Sequence, residues 1–304
     1  LEQLVVDAEK YLHGVPIGVL TGEIKDIQPV TFAIDKTVSN ILEKNDDFAE
    51  RFKHSFGMIV YDEVHLAAAP TVRFIIDRMP ARHRYGLTGT LKRKDRMEFL
   101  IEGSFGQVIA EVSKDEIIEA GRACPYDVQI FETDNEVTIS ETEESPTQYW
   151  KRIDKEIHAS IEREDQLVAF IDRLVMNGKT PAIGFRYVEP CKRLVERLRT
   201  LGISASLLIG GVKDPKQVCD DVQSGKTDCL VATYGTFSTG VNVPKLDTLI
   251  IASPTYSNEL LLNQLRGRVL RNSPGKEHAT IFFVWDEKVF PKHKVNRVVR
   301  LLER

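Results

Sequence analysis

Short apolar runs alternate along this chain with longer amphipathic stretches, and few folds accommodate that alternation. Ile17–Leu20, Val30–Ile34, Gly57–Tyr61 and Tyr85–Leu87 are the strand candidates of the first half, with helices expected near Thr37–Lys44 and Thr71–Met79. In the second half the candidates are Pro181–Tyr187, Ser204–Ile209, Asp228–Ala232, Thr248–Ala252 and Ala279–Trp285. Leu194, Val195, Leu198 and Leu201 form a helical stripe at i, i+1, i+4 and i+7. Leu167, Phe170, Ile171 and Leu174 form another, which stops at Gly178. Strands joined through helices rather than tight turns predict an α/β fold with parallel sheets.

The 304 residues suffice for two domains, each with its own core. The join is expected between Gly103 and Trp150, where Glu132–Glu144 is rich in acids and hydroxyls and reads as a solvated hairpin or loop. The predicted domains are 1–120 and 121–304. A hydrophobic share of 42% and a charged share of 28% fit a soluble globular chain. The net charge of −4 excludes a uniformly basic nucleic-acid binder but leaves local basic clusters open. Cys124, Cys191, Cys219 and Cys229 show no C-x-x-C spacing and no flanking His, so reduced thiols of a cytosolic-type protein are expected. No run approaches the ~20 apolar residues that span a bilayer, so no membrane partner is expected.

The sharpest local signal is Met58-Ile59-Val60-Tyr61-Asp62-Glu63-Val64-His65. An apolar strand here ends in two adjacent carboxylates, at the edge where parallel sheets bind ligands. Nucleotide hydrolysis needs one carboxylate in the Mg²⁺ shell and one group to orient or deprotonate water, roles that suit Asp62 and Glu63 respectively. Tyr85-Gly86-Leu87-Thr88-Gly89-Thr90 follows, a strand ending in two hydroxyls around a glycine. Cys229-Leu230-Val231-Ala232-Thr233 then leads into Phe237-Ser238-Thr239-Gly240-Val241-Asn242-Val243-Pro244. Last comes Gln264-Leu265-Arg266-Gly267-Arg268-Val269-Leu270-Arg271, in which Arg268 and Arg271 are spaced to share one face of a helix. Two guanidiniums on one face suit the spread charge of a phosphoryl-transfer transition state. Taken singly, each segment also fits a strand end, a turn or a solvated basic helix. Order and spacing together favour the chemical reading.

In that order, D-E-V-H, T-G-T, T-x₆-G-x-N-x-P and Q-L-R-G-R-V-L-R resemble motifs II, III, V and VI of the superfamily 2 helicases. The likeness is to the phage UvsW-type recombination helicases and the related XPB- and RecG-type translocases, with Ala232–Gly240 especially similar to the first. This resemblance implies two RecA-like domains in tandem, ATP and Mg²⁺ as cofactors, and DNA with branches or single-strand/duplex junctions as partner. It implies Asp62 as the Mg²⁺ holder through water, Glu63 as catalytic base, and Arg268 and Arg271 as arginine fingers. His65, Thr88, Thr90, Gly240 and Gln264 would couple hydrolysis to domain movement. Arg186, Thr236, Thr239 and Thr37 would touch the sugar-phosphate backbone; Asp35-Lys36-Thr37 is atypical for its motif, and Asn242 stands where an Asp is usual. A bacterial or phage-infected host cytoplasm is the expected setting.

Two basic clusters, Lys92/Arg93/Lys94/Arg96 and Lys292/Lys294/Arg297/Arg300, read either as duplex contacts or as solvated surface, the second mainly as surface. No G-x-x-x-x-G-K-[ST] occurs in the sequence. Gly178-Lys179-Thr180 and Gly225-Lys226-Thr227 have Arg173 and Asp220 where the pattern needs its first glycine, and both precede strands, so they read as turns. The resemblance therefore implies a first RecA-like domain incomplete at its N-terminus, with the phosphate-binding loop expected upstream of Leu1. A non-catalytic module keeping the fold, or the motor of a restriction-type complex, are the competing expectations.

Overall fold

Among the described residues every pair of strands is parallel, as expected when each strand returns through a helix. The computed structural model describes residues 1–44, 46–66, 69–89, 98–135, 145–253, 259–286, 289 and 292–303, without the side chains of 2, 3, 66, 146, 147, 150, 239, 292–294 and 297. The chain divides into two compact units, 1–111 and 112–304.

In the first unit, β1 (Ile17–Leu20) pairs with β2 (Val30–Ala33), and β3 (Met58–Tyr61) pairs with β4 (His83–Gly86). The helices Asp35–Leu42, Asp47–Lys53 and Pro70–Arg78 supply Val38, Ile41, Leu42, Phe52 and Ile75, which bury against Leu20, with Ile59 of β3 packed on the same cluster. Asp46 caps the second of these helices by accepting from the Ala49 N–H, and Pro70 opens the third. The strand expected at Tyr85–Leu87 instead begins at His83. His83 and Arg84 are too polar to signal a strand, but the register pairs them with Met58 and Ile59.

The second unit holds one six-stranded sheet of order β5-β10-β9-β6-β8-β7, from β5 (Tyr126–Thr133), β6 (Pro181–Phe185), β7 (Ala205–Leu208), β8 (Cys229–Thr233), β9 (Thr248–Ile251) and β10 (Ala279–Asp286). β6, β8 and β9 are buried at every residue, which is why they read as continuous apolar runs. Successive residues face opposite sides. Ala182, Leu230 and Leu249 join one core with Ile153, Ile157, Leu262, Leu265, Val298 and Leu302. Ile183, Val231 and Ile250 join the other, under the helices Ile161–Met176 and Val188–Thr200. Gly178 ends the first of these helices in the left-handed region (φ 74°), with the Lys179 N–H bonded back to the Leu174 carbonyl. β5 was not anticipated: it is an edge strand with alternating exposure, and polar residues break its apolar run. Glu132 and Thr133, the start of the acidic stretch, belong to its end, and 136–144 lie outside the described residues.

A buried polar network closes the carboxyl ends of this sheet. Ser160 ends the helix Pro146–Ala159 and caps the helix Ile161–Met176, so His158 and Arg163 flank one corner. Arg163, 2% exposed, donates from Nε to Asp286 Oδ1 (2.6 Å) and from Nη2 to the Ala252 carbonyl (2.7 Å). Asp286, at the end of β10, also accepts from Thr133 of β5 (2.8 Å) and from Asn135 (3.2 Å). Removing one partner of a buried pair strands the other charge. Replacing Arg163 with Met should therefore lower unfolding stability by about 3–5 kcal/mol, read from denaturant unfolding of the chain. A change below about 1 kcal/mol would show that the pair is not a keystone of the sheet.

Candidate functional site

In the first unit the carboxylate pair lies at the carboxyl end of β3. Glu63 is the one non-glycine among the described residues with a left-handed backbone (φ 54°), a conformation that non-glycine residues adopt at a cost. The reversal turns the chain into the 3₁₀ turn Val64–Leu66, pinned to β4 by the Val64 N–H on the Leu87 carbonyl (2.8 Å). His65, 7% exposed, is brought back beside Glu63, with Nδ1 3.1 Å from Glu63 Oε2 and 3.1 Å from Thr88 Oγ1. The hydrogen bond runs to Thr88. Glu63 Oε2 is buried with no hydrogen-bond partner among the described residues, which leaves an acceptor available to a bound water.

Asp62 is exposed beside it, its Oδ1 accepting the Glu63 N–H (2.9 Å). The arrangement brings Asp62, Glu63, His65 and Thr88 together; Thr90 lies outside the described residues. This carboxylate pair is a donor set of the kind Mg²⁺ takes through its own waters.

Tyr61 carries the site toward Thr37. Its hydroxyl donates to Asp35 Oδ2 (3.2 Å), and burial, reinforced by the Asp35 charge, pushes the phenol up to about 12. Asp35 opens the helix Asp35–Leu42, whose first turn carries a half-buried Thr37. Asp35 and Tyr61 were not singled out in the sequence, because neither residue type signals chemistry there.

In the second unit the T-x₆-G-x-N-x-P and Q-L-R-G-R segments interlock. Arg268, on the helix Glu259–Val269 with a half-buried Gln264, donates to the Ser238 carbonyl from Nε (3.1 Å) and Nη2 (2.7 Å), and to the Val241 carbonyl from Nη1 (3.2 Å). The shared helical face expected for Arg268 and Arg271 does not form: the helix ends at Val269, and Arg271 lies in an isolated bridge with Ala123. Arg271 Nη1 donates to Asn242 Oδ1. The physical cause lies in Lys276, whose ammonium caps the carbonyls of Arg271 (2.8 Å), Pro244 (3.1 Å), Leu246 (2.5 Å) and Val269. Burial pushes this amine below its usual range. Asn242 and Lys276 are thus structural partners that the motif spacing did not reveal.

Thr236, in the helix Tyr234–Gly240, has its hydroxyl 2.8 Å from the Leu208 carbonyl and 3.0 Å from that of Thr233, tying the turn to β7. Gly240 ends that helix, and its carbonyl faces Cys219 Sγ. The Thr239 side chain lies outside the described residues. Arg186 follows β6, exposed, with its N–H bonded to Ser253 Oγ (3.1 Å). In the basic clusters, 92–96 and the side chains of 292, 294 and 297 also lie outside; the last helix buries Val295, Val298 and Leu302.

Residues 1–93 match the type III restriction enzyme, res subunit model, and residues 163–273 match the helicase conserved C-terminal domain. Together the two matches carry the likeness to the superfamily 2 helicases. A probable helicase D10 of Escherichia phage T5 is 28% identical over 241 residues, covering 79% of this chain and 51% of that protein. The ATP-dependent DNA helicase uvsW of Enterobacteria phage T4 is 25% identical, covering 76% of this chain and 45% of its own length. The chain therefore spans about half the length of these relatives. The solved S. cerevisiae Dbp5 L327V bound to RNA and ADP BeF3 superposes with a TM-score of 0.63 at 12% identity, over 99% of this chain and 70% of that one. Such a likeness carries the fold, two RecA-like α/β domains in tandem. No helix among the described residues is long and apolar enough to cross a membrane.

Strand β4 needs the glycine at its carboxyl end. A Cβ on Gly86 would lie 2.7–2.9 Å from the Val64 side chain, next to His65. Gly86→Ala should cost the first unit about 1–3 kcal/mol by overpacking and displace His65 from Thr88. Unfolding measured beside Gly89→Ala, where a Cβ meets no atom of the described residues within 4 Å, checks this. Equal stability of the two variants contradicts it.

Proposed function

We propose that this chain is the motor part of an ATP-driven DNA helicase or translocase that remodels branched DNA in recombination, repair or replication. The observation that carries the reading is the strand-end cluster of Glu63, His65 and Thr88 beside Asp62, in which the buried Glu63 Oε2 lies 3.1 Å from His65 Nδ1 and takes no hydrogen bond among the described residues. Glu63 takes a proton from the attacking water, and the left-handed turn holds its carboxylate in place for this. Asp62 holds Mg²⁺ through water, and the metal when bound supplies charge neutralisation at the phosphates. His65, bonded to Thr88, passes the state of the nucleotide to the segment that follows β4. In the second unit Arg271 and Arg268 serve the transition state, and their bonds to Asn242, Ser238 and Val241 join that role to the Tyr234–Gly240 turn. Gln264 and Gly240 belong to the same coupling. Arg186 and Thr37, with Thr236 and Thr239 on the turn, grip the sugar-phosphate backbone without reading bases.

Support comes from the motif order, the two matched domain models and the helicases among the relatives. The pattern G-x-x-x-x-G-K-[ST] is absent from residues 1–304. We therefore read these residues as unable to turn over ATP alone; the phosphates need a cradle they do not supply. The res-subunit match at residues 1–93 also favours a second reading, the motor of a restriction-type complex. That reading requires a nuclease or modification partner, and DNA-stimulated turnover without one argues against it.

The test is Glu63→Gln in the intact polypeptide. Hydrolysis should fall by about 100-fold or more, with nucleotide binding kept. Turnover at the wild-type rate overturns the assignment. Residues 1–304 by themselves should hydrolyse no ATP above background, and measurable turnover there contradicts the need for a separate phosphate cradle.

A further inference from the structure

Two segments proposed to grip the strand, and the helix end that carries His158, converge on one buried serine. Ser253 follows β9 and is 1% exposed. Its Oγ accepts from the Arg186 N–H at the end of β6 (3.1 Å) and lies 2.7 Å from His158 Nε2. Its backbone N–H donates to the Tyr234 hydroxyl (3.1 Å), which in turn donates to the Ser253 carbonyl (2.6 Å). Tyr234 opens the helix Tyr234–Gly240 directly after β8. Its ring packs so closely on β6 that a Cβ at Gly184 would lie 2.7 Å from it.

Proton accounting orients the cluster. A guanidinium only donates, so Arg163 Nη1, 3.3 Å from His158 Nδ1, makes that nitrogen an acceptor. The imidazole then carries its proton on Nε2 and gives it to Ser253 Oγ. Burial lowers the affinity of His158 for a second proton, and the Arg163 charge adds to this while Asp154 opposes it. Arg163 is itself held by Asp286 and the Ala252 carbonyl. The chain of donors therefore runs from a rigid ion pair, through His158, into the hydroxyl that holds the backbone of Arg186.

We propose that Ser253, oriented by His158 and clasped by Tyr234, is a positioning residue that sets Arg186 and the Tyr234–Gly240 turn in one register for gripping a nucleic-acid backbone. It touches neither nucleotide nor strand; it acts through Arg186. The inference rests on the DNA-binding reading above. A hydroxyl that merely satisfied the core would stabilise the sheet without being coupled to Arg186.

A double-mutant cycle separates these cases. Binding of a fluorescein-labelled single-stranded oligonucleotide is measured by anisotropy for the intact polypeptide as wild type, R186A, S253A and the double variant, with thermal unfolding run alongside. S253A should weaken binding by about fivefold, the scale of a buried hydrogen bond. The double variant should bind within about twofold of R186A alone, since coupled residues do not add. Y234F, which keeps the ring against Gly184 but loses the hydroxyl, should behave like S253A; it carries the test if S253A unfolds.

Losses that multiply in the double variant overturn the proposal, as does a folded S253A of wild-type affinity. So does a defect in S253A that R186A does not share. If the wild type binds no oligonucleotide, the DNA-binding reading fails and the positioning role falls with it. If it binds and only the coupling is missing, the positioning role alone is wrong.

Discussion

The second unit depends on one buried guanidinium. Arg163 reaches Asp286 at the end of β10, the Ala252 carbonyl at the end of β9 and His158 on the preceding helix. Parallel strands all deliver their carboxyl ends to the same edge, so the segments that follow them leave the sheet side by side, with backbone groups in need of partners. Apolar packing on the two faces holds the sheet but says little about where those segments point. Arg163, through Asp286 and Ser253, supplies what packing cannot: a fixed relation between segments distant in sequence.

The first unit solves the same problem with backbone geometry. A left-handed Glu63 turns the chain sharply after β3, and Gly86 leaves room for Val64 to follow. His65 is thereby folded back onto Thr88. Strain is tolerated at that position because the surrounding bonds over-determine it. An alternative that relaxed Glu63 would separate the carboxylate from the histidine.

Much of this was legible beforehand. The buried strands β6, β8 and β9 announced themselves as apolar runs, whereas Asp62-Glu63-Val64-His65 drew its chemical reading only from the order and spacing of the segments that follow it. β5 was not legible, because an edge strand buried on one side alternates with polar residues and lacks a run. The partners of Arg268 and Arg271 were hidden for another reason. Helical periodicity predicts which residues share a face only while the helix lasts, and Lys276, five and seven residues on, satisfies the carbonyls of Arg271 and Val269 where it ends. Asn242 and Ser253 are ordinary polar residues whose importance lies in what meets them, and spacing holds no record of that. The turns at Gly178 and Gly225 were read correctly because the phosphate-loop pattern is specific in both spacing and context.

We propose that the strand-end carboxylates and the interlocked arginines each serve ATP-driven action on DNA. ATP hydrolysis by the intact polypeptide, followed as DNA is titrated in, tests that most directly. Turnover that rises with added DNA and saturates is the predicted result. Turnover that is absent, or that ignores DNA at every concentration, would contradict it.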